Sequence, residues 1–239
     1  MTSSKPSPIS RRERPAKPAL SRAGIVATAL EIMRAEGLNR VTMRRLAQEL
    51  DTGPASLYVY VRNTAELHAY LLDDLLAGLD LRAVTEPGPW QERLVTVLRS
   101  YTALLVDYPG LAQSALVTRP SGPGYLRLLD GLLALLGEGV PTDRAAWAVD
   151  LLLHFATSTA TEQGTRDRAP DAKAEEDDLA VAIANATHAT HGTDGAGATA
   201  YPHIAAVGMD LLSGPGTDRL SWGFHVLING ILATPRPAR

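Results

Sequence analysis

The 239-residue chain has no cysteine. That excludes disulfide staples, thiolate zinc sites and a cysteine nucleophile, and it fits a reducing cytoplasm. Aromatics are scarce, at 5%. Long apolar runs are missing too. A stretch such as "AVDLLLHFA" is too short and too interrupted to span a bilayer. The N-terminus "MTSSKPSPISRRERPAKPAL" lacks the apolar core of a secretory signal. Period-two alternation of polar and apolar residues is absent throughout, which excludes a half-buried sheet.

What is present is ordinary for a globular protein: 45% hydrophobic and 21% charged residues. The net charge of −3 hides an asymmetry. Residues 1–65 hold eleven Lys and Arg against five Asp and Glu, and the remainder holds twelve against twenty-one. A basic first quarter on an acidic body points to a polyanion partner, nucleic acid first, at the N-terminal end.

Residues 1–20 are rich in Ser, Pro and Arg and are read as a flexible tail, made basic by Arg11, Arg12, Arg14 and Lys17. Ser21 is placed to cap a first helix and Thr42 a second. Asp51 to Gly53 make a tight turn. Pro54 stands where the first residue of a third, short helix belongs, because its missing N–H costs nothing there. Thr64 is read as the cap of a fourth helix. "TEPGP" then punctuates the chain. Longer helices with apolar stripes follow at Trp90 to Tyr108, Pro109 to Val117, Gly124 to Gly137, Thr142 to Gln163 and Thr217 to Leu232. The acidic, His-containing stretch from about Arg166 to Pro202 reads as part helix (Glu175 to Ala186), part loop.

Two short helices joined by a tight turn form a helix-turn-helix, whose second helix enters the DNA major groove. In that arrangement Leu57 and Val61 point into a three-helix core. Pro54, Ala55, Ser56, Tyr58, Val59 and Tyr60 face DNA, and Arg44 is placed to take a guanine.

The segment "GLNRVTMRRLAQELDTGPASLYVYVRNTAEL" resembles the DNA-binding part of the tetracycline-repressor (TetR) family of transcriptional regulators. "WQERL…TRP", "HFA…EQ" and "WGFHVLINGI" resemble successive helices of the family's C-terminal domain. The resemblance implies an all-α homodimer in the cytoplasm: a ligand-responsive, non-enzymatic regulator, released from a palindromic operator by a small effector. The implied organisation is a tail (1–20), an N-terminal helix-turn-helix bundle (21–67), a connecting helix and linker (68–84), and a larger ligand-binding and dimerisation domain (85–239). No membrane, metal or cofactor is implied.

Carried over by position, Arg44, Pro54, Ala55, Ser56, Val59 and Tyr60 meet base edges, and Thr42 and Tyr58 meet phosphates. Thr64 stands where the family often has a phosphate-supporting Lys, and Asp51 replaces a common turn Gly. Implied dimer residues are Ala156 and Ala160 on one helix and Trp222, Phe224, Leu227 and Ile231 on another. The pocket is expected between the helices of residues 90–163. Tyr101, Thr118, Trp147, His154 and Thr157 are the amphipathic residues there. The family's founding member holds a magnesium–tetracycline complex. Its metal-binding His aligns with Ala115 and a drug-gripping amide with Val97, while Glu162 matches an acid near the metal. A more apolar effector is expected.

Two other readings start from the same residues. One is a metal-dependent enzyme using His188, His191 and Asp194 of "THATHGTD". The other is a DNA-binding dimer without a ligand.

Overall fold

The computed structural model describes residues 19–118, 120–188 and 201–237. Among these, the regular elements are all helical. No helix in the described residues is long and apolar enough to cross a membrane. The expected basic tail falls outside the described residues, except for its last two positions. The chain divides after Thr64 into two compact units.

The first unit holds α1 (Arg22–Glu36), α2 (Met43–Glu49) and α3 (Pro54–Leu57). Ser21 Oγ accepts the Gly24 N–H at 3.1 Å, and Thr42 Oγ1 accepts the Arg45 N–H at 3.1 Å. Each satisfies one of the donors that a helix start leaves unpaired. Pro54 is the first residue of α3. Its core is Ile25, Ala29, Leu30, Ile32, Met33, Leu46, Ala47, Leu57 and Val61, all nearly inaccessible to solvent.

The second unit starts with the rest of α4 (Thr64–Ala77), followed by α5 (Trp90–Asp107), α6 (Pro109–Val117) and α7 (Pro123–Leu136). Then come α8 (Thr142–Arg166), α9 (Ala172–His188), α10 (Pro202–Val207) and α11 (Gly216–Ala233). The sequence reading places Thr64 at the cap, but Thr64 is already helical. α10 and the 3-10 turn after it, Gly208–Leu212, are elements that the sequence reading lacks.

α5 and α8 form the centre of this unit, flanked by α6, α7 and α11. Leu94, Leu98, Leu105, Leu132, Leu152, Ala156, Ala160 and Phe224 meet in one apolar core. Phe155 packs edge-on against Phe224, with ring centroids 5.2 Å apart. Arg93 ties the Pro/Gly-rich linker to α5 by donating to Val84 O and Gly88 O at 3.0 and 3.1 Å. It also pairs with Glu138, just beyond α7.

Candidate functional site

The turn between α2 and α3 explains why an aspartate is tolerated there. Asp51 has φ 45°, the left-handed region that most side chains avoid. Its N–H bonds to Gln48 O, and the Thr52 N–H bonds to Ala47 O at 2.9 Å. The chain therefore reverses tightly enough for α3 to cross α2. Leu57 (0% exposed) anchors α3 from beneath. Truncating so enclosed a leucine to alanine costs about 2–5 kcal/mol.

Above that anchor, Pro54, Ala55 and Ser56 are exposed, as are Tyr58 and Val59. Val59 is 79% exposed, which nothing in the unit's own packing explains. Tyr60 is half-buried, while Thr42, Arg44 and Thr64 are exposed.

Neighbouring arginines differ sharply. Arg45 donates to Glu36 at 2.7 Å and to Glu49 at 2.6 Å. These bonds push the pKa of Arg45 up, chiefly through Glu36, and hold the Glu36 carboxyl below its usual value. Arg45 is thereby committed to joining α1 and α2. Arg44 has no acidic partner among the described residues and projects from the first turn of α2.

The residues expected to line a pocket divide into three groups. Val97 is fully enclosed in the core. Tyr101 and Thr157, also enclosed, hydrogen-bond to each other at 2.9 Å. Ala115 and Thr118 line a small void, too tight to hold a water molecule, together with His68, Leu111 and Ser114. Trp147 (55% exposed) and His154 lie on the outer face of α8 and reach neither group. The reason is rotational. Ala145, Ala148, Val149, Leu152, Ala156 and Ala160 face inward along α8, and at 100° per residue positions 147 and 154 fall opposite. That corrects the inward placement of both residues.

The sequence reading misses His68, which lies on α4 and borders this void. Burial lowers its pKa, favouring the neutral ring. The signal was a lone imidazole next to the buried Leu67 and one turn before Leu72, on a helix read only as a connector.

The expected dimer residues need a similar correction. Ala156, Ala160 and Phe224 are fully enclosed by their own protomer and have no surface left for a partner. Leu227 and Ile231 pack half-buried against the same core. Trp222 (70% exposed) stands outside it. Val226 on α11 and Leu151 on α8 are exposed with it, so the outer faces of both helices carry large apolar side chains.

Glu162 pairs with Arg166 at 2.6 Å, one helical turn away. No group of three or more His, Asp or Glu able to hold a metal exists among the described residues. His191 and Asp194 of the alternative metal site lie outside those residues, as does the side chain of His188.

Comparison with known proteins bears on both units. Residues 25–71 match the family described as bacterial regulatory proteins, tetR family. Residues 84–234 match the family described as tetracyclin repressor-like, C-terminal domain. The tetracycline repressor protein class G of Vibrio anguillarum is 26% identical over 219 residues, covering 90% of this chain and 98% of that protein. A putative transcription regulator from Streptomyces, SCO7704, is 51% identical in its crystal structure. The match covers 93% of this chain and 100% of that one, with a TM-score of 0.72. The Streptomyces coelicolor protein ActR in complex with actinorhodin is 33% identical, covering 90% and 96% of the two chains, with a TM-score of 0.73.

Proposed function

The chain belongs to the tetR family of bacterial regulatory proteins, and from that premise we propose that it represses transcription by holding a palindromic operator as a homodimer in the cytoplasm. A small, mostly apolar effector entering the second unit releases it. The observation that carries this reading is the contrast along α3 and the turn that follows it: Leu57 locked beneath, and Pro54, Ala55, Ser56, Tyr58 and Val59 bare above. Small residues at a helix start let the backbone approach a groove closely, and tyrosine hydroxyls reach phosphates.

Arg44 reads a base edge, Thr42 and Tyr58 bind phosphate, and Tyr60 and Thr64 stand at the margin of the contact. The homodimer forms through the outer faces of α8 and α11. Trp147, Leu151, Trp222 and Val226 supply there the apolar exposure that marks interfaces.

The effector enters beside His68, Ala115 and Thr118. The void there is too tight to hold even a water molecule, far short of the roughly 300–1,000 Å³ of drug-sized sites. Binding therefore displaces α4 or α6, and that displacement couples effector to DNA. Relatives support an aromatic, ring-rich effector: tetracycline repressors are among them, and ActR is seen with actinorhodin.

The test is to select bound fragments from the source genome and then add actinorhodin and small products of enzymes encoded near those fragments. Release by one compound, with DNA weakening that compound by the same factor, supports the reading. Selective DNA binding that no such compound relieves sinks the effector half of it.

A further inference from the structure

α7 begins without a cap of its own. Its N-cap position is Gly122, which has no side chain to offer. The missing acceptor comes from α4, where Asp73 Oδ1 accepts the Tyr125 N–H at 2.9 Å. Tyr125 is the third residue of α7, the position whose N–H a capping side chain usually takes.

α4 is served in return. Arg127, in the second turn of α7, donates from Nη2 to Leu76 O at 3.1 Å, Ala77 O at 2.7 Å and Leu79 O at 3.1 Å. These carbonyls lie at the end of α4 and just beyond it, where a helix leaves acceptors short of intrahelical partners. A carboxylate from α4 thus sits on the partially positive start of α7. A guanidinium from α7 sits on the partially negative end of α4.

Two glycines permit the approach. A Cβ on Gly122 would lie 2.2 Å from Asp73 Cγ, and one on Gly124 would lie 2.2 Å from the Asp73 backbone O. The second clash is with main chain and no side-chain rotation relieves it. Beneath this joint Leu72, Leu76 and Leu79 share one core with Leu128 and Leu132.

We propose that Asp73 and Arg127 are positioning residues for operator binding: together they clamp the C-terminal half of α4 to α7, giving that helix one fixed end. The other end, Thr64, is where the first unit joins. Asp73 lies nine residues along α4 from Thr64, a rigid arm of roughly 13 Å. His68 and the void beside it lie on the free side of the clamp. A displacement there turns the arm about the joint, so a turn of about ten degrees moves Thr64 by roughly 2 Å. Without the clamp the same push is dissipated by sliding of α4 along α7, and the spacing of the two DNA-binding units in a dimer loses its definition. The inference rests on the operator-binding reading above.

Because the chain has no cysteine, a Glu31→Cys label gives one probe per protomer, on the exposed side of α1. The experiment measures label-to-label distance distributions by pulsed EPR and affinity for a selected operator fragment. It compares the labelled parent with Asp73→Ala, Asp73→Asn and Arg127→Gln. Asp73→Ala and Arg127→Gln broaden the distribution and weaken operator binding about tenfold, a cap's worth of free energy. Affinity for random DNA stays unchanged. Asp73→Asn keeps an acceptor oxygen and stays close to the parent. Arg127 is exposed, so its variant folds even if Asp73→Ala does not. A parental distribution and operator affinity in Arg127→Gln overturn the proposal. A parent that selects no DNA fragment fails the functional reading itself, and that is seen before any variant is compared.

Discussion

Tyr101 on α5 and Thr157 on α8 hydrogen-bond through their hydroxyls at 2.9 Å in the interior of the second unit, among side chains almost sealed from solvent. Thr157 also donates toward Leu153 O at 2.7 Å, so the pair forms a short polar chain across the two central helices. Sequence pattern suggested that both residues address a ligand, yet each already has a partner. Their hydrogen bond joins α5 to α8.

Burial pushes the Tyr101 phenol up to about 12, with the Thr157 bond opposing the shift. The folded state therefore favours the neutral ring. Its contribution is fully present below the unfolded value near 10 and is lost as pH rises through about 12. Absorbance titration at alkaline pH should show one of the seven tyrosines ionising last, or only on unfolding. Tyr101→Phe should remove that late step and cost about 0.5–1.5 kcal/mol of stability. Uniform ionisation of all tyrosines near pH 10 contradicts the burial.

The two arginines of α2 should separate cleanly. Arg44→Ala should weaken operator binding by about 1–3 kcal/mol and relax selectivity at one base pair per half-site, leaving the melting temperature unchanged. Arg45→Ala should lower the melting temperature by loosening Glu36 and Glu49, with operator selectivity preserved. Binding titrations on operator and random DNA, beside thermal melts, check both. Equal weakening on both DNAs would reduce Arg44 to a phosphate contact.

The basic tail should act through phosphates. Deleting residues 1–19 should flatten the slope of log affinity against log salt by about 0.9 for each phosphate that the tail neutralises. An unchanged slope means that Arg11, Arg12, Arg14 and Lys17 do not touch DNA.

Magnesium–tetracycline should not release this protein. Val97 is sealed in the core, the Ala115 side chain has no ligating atom, and Glu162 is paired with Arg166. Fluorescence anisotropy of labelled operator with micromolar drug and magnesium is the measurement, and release would overturn the pocket assignment.

Local chemistry was readable from the sequence because it acts over three or four residues. Ser21, Thr42, Asp51 and Pro54 each do what their type and position suggested. Helix faces were harder. α8 and α11 carry apolar residues on two sides, and periodicity does not say which side meets its own core and which a partner. Ala156 and Phe224 therefore read as interface while being core, and His154 as lining while being surface. Asp73, Arg127 and His68 were missed for a different reason. Their partners lie on α7, at the end of α4 and on α6 respectively, more than forty residues away along the chain, and no spacing rule links them.

The most direct test of the central claim is a hydroxyl-radical footprint of the protein on its selected genomic fragment. Two symmetric protected patches on one face of the duplex, centred about 34–36 Å apart, are predicted for paired α3 helices in successive major grooves. Val59→Glu, which puts a carboxylate on the bare face above Leu57, should erase both patches without lowering the melting temperature. A single patch, protection without sequence preference, or a footprint indifferent to Val59→Glu would contradict the account.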